Sequence, residues 1–530
     1  MRYMDNLLGL LDSTVQKTPE REAVVDSRVR LTYGDLWKQI VSLSTLMLEL
    51  GVFPGDRIGI LMQNSAEFIV SLYSTYAVGG IAVPIDADIN AYNLKYQLNN
   101  AKTVLLLSQE KYIRQLRNIV VDIATLRLII ICDEHILSKP DKKFPVEVIK
   151  WEKEIRNIGR PPIPKLIKTA QLIHTTGTTG MSKAVVLTHE QMKITAQNII
   201  NITELTKADK EVTALPLVRL YGQYHIYCYH QVGGCIIIDK GLNYFKNPGR
   251  ILDRIIEERA TSFPHVSSAF IFFMNNYSER FKKCDIWLRY IMICSMPITA
   301  REIERLQNHL PTTNIINTYG LSEAARSTYV NVTKYPNKSS SVGRPVAGGK
   351  VLIVNEEGVE VTRGAKGEIV LQMPHSFSGY WNNQKETDRV LRKDGLYTGD
   401  IGYLDDDGFL YYCGRLKDLI NVGGRKFNPI EIENELEILE QVKKAVVVAV
   451  ADPRGVLGEL PFAFVVLNDG EVIDERDLRE KLMDKVEKYK IPRVFQFIKS
   501  IPCTSSGKVL RRELREKAED YFNHTLKEKQ

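Results

Sequence analysis

The sequence predicts an α/β fold followed by a smaller α+β domain, and three observations carry that expectation. Short apolar runs at 58–62, 81–83, 104–107 and 128–131 alternate with helical stretches, the signature of largely parallel sheets covered by helices. A turn-rich region between Ser341 and Asp400 carries alternating residues between its glycines, as a small antiparallel barrel or sheet does. After Gly414-Arg415-Leu416-Lys417-Asp418, lysine and glutamate become denser and helices are expected at 429–440 and 475–488. The domain boundary is therefore set there, giving domains 1–416 and 417–530.

In chain order, residues 7–15 have apolar side chains at helical spacing, and Leu31-Thr32-Tyr33-Gly34-Asp35-Leu36 leads into a second helix ending at Gly51. Gly55-Asp56-Arg57 then introduces a strand. Asn64 opens a helix through Tyr76, which stops at Gly79-Gly80 before the next strand. Further on, Leu215-Pro216-Leu217 precedes an apolar strand at 235–238, a helix at 248–259, and strands near 291–294 and 315–316.

Between an apolar run and Val185-Val186-Leu187 lies His174-Thr175-Thr176-Gly177-Thr178-Thr179-Gly180-Met181-Ser182-Lys183-Ala184. The glycines allow sharp bends that point successive N–H groups at an anion, the threonines and Ser182 add hydroxyl donors, and Lys183 adds charge. The loop reads as a phosphate grip, or more blandly as a polar turn between strands. It is not a Walker loop, because Lys183 is neither preceded by glycine nor followed by serine or threonine.

Composition narrows the class. Hydrophobic residues make up 44% and charged residues 25%, so neither disorder nor a fibrous class is indicated. No run approaches the roughly 18 apolar residues of a membrane span, and the N-terminal stretch is too short and too charged for a signal peptide, so a cytoplasmic location is expected. The seven cysteines lack CxxC spacing, so buried thiols are expected rather than a disulfide framework or zinc site. A net charge of +7 suits an anionic cosubstrate but is not concentrated as a nucleic-acid footprint would be.

The ordered segments IHTTGTTGMSK, NTYGLSE, SVGRP, YTGD, GRLKDLINVGGRKFNPIEIE and IPCTSSGKVLRREL closely resemble the adenylate-forming (AMP-binding) superfamily of acyl-CoA synthetases, stand-alone adenylation enzymes and luciferase. The resemblance implies a large N-terminal domain of two α/β subdomains plus a small β-barrel, joined to a smaller mobile α+β C-terminal domain. It also implies attack of a carboxylate on ATP, giving acyl-AMP and pyrophosphate, then transfer to the pantetheine thiol of CoA or of an acyl carrier protein. ATP, Mg²⁺ and CoA or phosphopantetheine are the implied cofactors, and a small carboxylic acid is the substrate.

Under that resemblance, Lys508 bridges the attacking carboxylate and the α-phosphate. Thr175, Thr176, Gly177, Thr178, Thr179, Gly180 and Lys183 hold the β and γ phosphates, and Glu323 ligates Mg²⁺. Tyr319, Gly320 and Ser322 flank the nucleotide, Asp400 accepts from the ribose hydroxyls, and Arg415 contacts ribose or phosphate. Lys417 is the hinge, and Gly423 and Gly424 line the pantetheine channel. The acyl pocket is assigned to Arg219, Tyr221, Cys294, Ser295 and Thr318.

The chain also departs from the family pattern. It reads Leu215-Pro216-Leu217-Val218-Arg219-Leu220-Tyr221-Gly222 where many acyl-CoA synthetases carry a gating histidine, and it resembles stand-alone aminoacyl-carrier ligases there. Leu220 stands where α-amino-acid-activating members place an aspartate. Cys294-Ser295-Met296-Pro297 replaces Gly-Gly-Ala-Pro, which should shorten or reshape the acyl pocket and disfavour a long fatty chain. Arg219 suggests a substrate with an oxygen-rich or anionic distal group, against the alternative of an arginine turned outward to a surface acid. Two further readings are a stand-alone adenylating enzyme loading a carrier protein and a catalytically silent ligase-like binding protein.

Overall fold

The computed structural model describes residues 5–133, 144–151, 167–175, 182–238, 247–295, 298–503 and 509–527. Its chain forms two compact units, Met1–Lys350 with Leu371–Leu396, and Val351–Val370 with Tyr397–Gln530.

The larger unit is built on two sheets. One has seven strands in the order Glu147–Lys150, Leu128–Ile131, Leu105–Ser108, Arg57–Leu61, Ile81–Ile85, Thr169–Thr175 and Lys183–Thr188. All its pairings are parallel except the last, where Thr169–Thr175 meets Lys183–Thr188 antiparallel. Near-continuous apolar runs are what strands covered on both faces require. The other sheet has nine strands, with a parallel interior through Ser262–His265, Tyr290–Ile293 and Asn314–Tyr319. It reverses at Thr328–Asn331, so that the loop 320–327 turns back on the end of Asn314–Tyr319.

Two buried helices fill the interior of this unit. Ala66–Ala77, capped by Ser65 accepting from the Phe68 N–H, is buried along its whole length. A helix enclosed on all sides cannot leave polar groups open. The Thr75 hydroxyl accordingly donates to the Ser71 carbonyl at 2.8 Å, and the Ser74 hydroxyl to the Ile40 carbonyl at 3.3 Å. Leu220–Val232 is buried from Leu220 to His230 and meets it through Tyr76–Tyr227 hydroxyls at 2.8 Å and Tyr73–His230 Nδ1 at 3.1 Å.

In the smaller unit, Val442–Ala451 pairs antiparallel with Glu459–Leu467, which pairs parallel with Val494–Phe497. The run Ala445-Val446-Val447-Val448-Ala449 is apolar at every position because both faces are covered. Val447 and Ala449 pack with Ile432, Leu436, Leu478 and Leu482 on one side, and Val446 and Val448 with Leu514 and Ala518 on the other. The turn-rich region becomes a sheet of Lys350–Val354, Gly367–Gln372, Gly395–Leu404 and Leu410–Arg415.

Several boundaries differ from the sequence expectation. The helix expected at 475–488 is Glu475–Met483, because the amides of Lys485 and Val486 both turn onto the Leu482 carbonyl and the chain continues into the short turn Lys488–Lys490. The helix expected from Asn64 begins at Ala66, after its Ser65 cap. Five cysteines are buried as expected, but Cys413 is half-buried and Cys503 is exposed. No described helix is long and apolar enough to cross a membrane.

Candidate active site

Thr175 and Lys183 face each other in the antiparallel register that brackets the glycine-threonine loop. Thr176, Gly177, Thr178, Thr179 and Gly180 lie outside the described residues. At the loop's exit the Lys183 ammonium pairs with Glu386 and sits 5.2 Å from the centre of the Tyr380 ring. Lys183 thereby holds the Glu386 carboxyl below the usual carboxylate range, with Arg389 assisting at 3.0 Å.

The loop after Asn314–Tyr319 carries Gly320, Ser322 and Glu323. A Cβ on Gly320 would stand 2.4 Å from the Arg326 backbone nitrogen, so only glycine permits this return of the chain. The Glu323 backbone carbonyl accepts from the Phe377 N–H at 2.7 Å, and its Oε1 accepts from the Tyr380 hydroxyl at 2.7 Å. Burial, and then the Glu323 charge, push the Tyr380 phenol above its ordinary range, which keeps it a proton donor. The strand 183–188 contributes to the same corner. Val185 bridges Tyr380, and the Trp381 N–H donates to the Ala184 carbonyl.

The proposed acyl-pocket residues also lie in the larger unit. Tyr221 donates its buried hydroxyl to the Met292 carbonyl at 2.8 Å and clusters with Leu215 and Cys294. Thr318 donates to the Ile293 carbonyl at 3.1 Å, and Ser295 occupies left-handed backbone at φ 77°. Arg219 reaches Asp86 Oδ2 at 2.8 Å and the His174 carbonyl at 3.5 Å, so its charge is already paired with a partly exposed acid. Arg326 had no role in the sequence reading. It is 4% exposed, lies 4.1 Å over the Tyr221 ring and donates Nη1 to Cys294 Sγ at 3.3 Å.

In the smaller unit, Asp400 and Arg415 are cross-strand partners, with Arg415 Nε 3.0 Å from Asp400 Oδ1. The Asp400 N–H donates to Thr398 Oγ1, and Thr398 in turn donates to the Ile369 carbonyl at 2.7 Å. Lys417 lies in the turn Leu416–Asp418. Burial lowers its ammonium pKa, while the neighbouring Asp418 opposes that shift. Gly423 and Gly424 hold φ values of 58° and 82° in the turn between Ile420–Val422 and Arg425–Phe427, a conformation only glycine adopts readily in succession. Lys508 lies outside the described residues. The segment that carries it is bracketed by an antiparallel bridge between Cys503 and Val509.

Sequence reasoning read 341–400 only as a turn-rich region and gave no role to Tyr380, Glu386 or Arg326. The described residues include no cluster of three or more His, Cys, Asp or Glu side chains able to cage a metal. A single carboxylate such as Glu323 fits Mg²⁺ carried largely by nucleotide phosphates rather than by protein alone.

The AMP-binding enzyme profile matches residues 11–381 and its C-terminal domain profile matches 431–508. This chain belongs to the AMP-binding enzyme family. It is 30% identical to a long-chain-fatty-acid–CoA ligase of Bacillus subtilis, over 98% of this chain and 96% of the relative. It is 27% identical to an oxalate–CoA ligase of Arabidopsis thaliana, over 96% and 98% respectively. Among solved structures, the anthranilate CoA ligase AuaEII in complex with anthranoyl-AMP superposes with a TM-score of 0.86 at 22% identity, covering 98% of each chain. ATP-bound MatB from Rhodopseudomonas palustris superposes at 0.84 and 23% identity, covering 98% of this chain and all of that one. At such identity these two establish the fold.

Proposed function

We propose that this chain is an ATP-dependent acid:thiol ligase that forms an acyl adenylate, releases pyrophosphate and passes the acyl group to CoA. The observation that carries this reading is the match to both family domains along nearly the whole chain, together with Glu323 held by Tyr380 in the family's nucleotide-side loop. In the first half-reaction a carboxylate oxygen attacks the α-phosphorus and the bond to the bridging oxygen breaks, so pyrophosphate leaves with the electron pair. In the second, a thiolate attacks the acyl carbon and AMP leaves.

Two anions meet in the first step, so cationic and hydrogen-bonding groups dominate its catalysis. Lys508 supplies a point charge between the carboxylate and the α-phosphate, and Thr175 to Gly180 with Lys183 hold the distal phosphates. Glu323 would hold Mg²⁺, which would neutralise phosphate charge when bound. Tyr319, Gly320 and Ser322 flank the nucleotide, and Asp400 with Arg415 takes the ribose. Lys417 is the swivel between half-reactions, and Gly423 and Gly424 give the pantetheine arm close approach to backbone. The functional division is 1–416 and 417–530, and the location is cytoplasmic.

A carrier protein bearing phosphopantetheine is the alternative acceptor, supported by the run Leu215 to Gly222 that resembles carrier-loading ligases. Pyrophosphate release measured over a panel of acids, with CoA and carrier protein supplied separately, tests both readings. Thioester with CoA alone fixes the acceptor, and no acid-dependent pyrophosphate release contradicts the proposal.

A further inference from the structure

Arg326 is the buried cation of the larger unit that the proposed chemistry leaves unused. Its guanidinium carbon lies over the Tyr221 ring, 4.1 Å from the ring centre, and Nη1 donates to Cys294 Sγ at 3.3 Å. Nε and Nη2 are fully enclosed, and no described protein group accepts a hydrogen bond from either. No described carboxylate lies within ion-pair distance. The buried acid Glu211 is engaged by His225 Nδ1 at 2.7 Å and Ser262 Oγ at 3.3 Å, and Glu323 by Tyr380.

Burying a guanidinium without an anion is unfavourable, and a weak thiol acceptor with one aromatic face offsets little of that penalty. The backbone also holds this arginine in place. Arg326 sits at φ 57° and nearby Ser295 at φ 77°, conformations an ordinary side chain keeps only where the surroundings enforce them. Tyr221 and Cys294, which Arg326 meets, are both assigned to the acyl pocket and cluster with Leu215.

We infer that Arg326 is the specificity-determining residue for a small substrate with a second carboxylate, whose distal oxygens displace the side chains enclosing Nε and Nη2 and accept from both while the first carboxylate is adenylated. This deepens the ligase reading and rests on it. The geometry suits it, since Nε and Nη2 lie on one edge of the planar fork and can serve both oxygens of one carboxylate. It also moves anion recognition away from Arg219, whose charge Asp86 already meets.

The test uses the whole enzyme and pyrophosphate release with malonate, succinate and glutarate, each compared with its monomethyl ester. At least one free diacid should exceed its half-ester in kcat/KM by on the order of a hundredfold, because a half-ester cannot receive two charge-assisted hydrogen bonds. Arg326→Met should abolish that ratio while retaining turnover of monoacids, and Arg326→Lys should restore part of it. Half-esters used as well as diacids by the parent overturn the inference without any variant, so a misfolded Arg326→Met protein does not protect it. A fall of diacids and monoacids together in a folded Arg326→Met variant overturns it too, since the arginine then serves the reacting carboxylate or the fold. Turnover of other acids on the wider panel with none of these six compounds overturns the inference too, whereas failure of every acid on that panel removes the ligase reading itself.

Discussion

The Tyr380 hydroxyl donates to Glu323 Oε1 across 2.7 Å while the Tyr380 ring lies beneath the Lys183 ammonium at 5.2 Å. One side chain thus orients the proposed metal-binding carboxylate and packs against the proposed phosphate lysine. Tyr380→Phe keeps the ring and removes the donor. It should slow adenylation on the order of tenfold, the scale of one hydrogen bond to a charged group, and raise the Mg²⁺ concentration needed for half-maximal rate. Because the phenol stays protonated above its ordinary range, the parent should show no alkaline loss of activity from this group below about pH 10. An unchanged Mg²⁺ requirement in the variant contradicts the positioning role.

Acid should destabilise the larger unit through its buried histidines. Burial lowers His174, His230 and His375 to about 4, and His189 and His265 to about 3. Unfolding restores each to about 6.5, so between about pH 6.5 and 4 the unfolded chain binds more protons than the folded one. Their stabilising contribution is complete above pH 6.5 and is lost as pH falls toward the folded values. Each contributes a slope of about 1.4 kcal/mol per pH unit within that window. Thermal melts from pH 7.5 to 4.5 should show a steep fall in Tm. A flat profile contradicts buried, neutral imidazoles.

Arg219→Leu should leave acid preference nearly unchanged, because Asp86 and not the pocket receives its charge. Loss of one partly exposed pair should cost about 1 kcal/mol or less of stability. A switch in preferred acid on profiling the variant would show that Arg219 faces the substrate after all.

Much of the fold was legible because periodicity is a local property. Unbroken apolar runs announced the parallel strands, and the glycine-bounded alternation at 341–400 announced the antiparallel sheet. Helix ends were less legible, since residues 484–488 continue the polar helical composition and only the double use of the Leu482 carbonyl ends the helix. In the site, Glu323, Asp400 and the turn glycines stood out because their chemistry is carried by contiguous motifs. Tyr380 and Arg326 did not, since each acquires meaning from a partner far away in sequence, Glu323 in one case and Tyr221 in the other. Nothing in the sequence marks Arg326 as buried, yet it is 4% exposed at φ 57°.

Lys417 stands in a turn immediately after the strand that carries Arg415. Proline there fixes φ near about −65° and removes an N–H, so a swivel needing large backbone change is blocked. If the retained pose is the adenylating one, Lys417→Pro should keep acid-dependent ATP–pyrophosphate exchange and lose thioester formation. Equal residual activity in both half-reactions contradicts the hinge.

The central claim is that this chain activates an acid as its adenylate and that Lys508 supplies charge only while two anions meet. The most direct measurement takes parent and Lys508→Ala proteins through the two half-reactions separately, using acid-dependent ATP–pyrophosphate exchange and thioester formation from a supplied acyl-AMP. The account predicts exchange in the parent, a loss on the order of a hundredfold or more in the variant, and thioester formation from acyl-AMP retained in both. Exchange at the parent rate in Lys508→Ala, or no acid-dependent exchange in the parent, would contradict it.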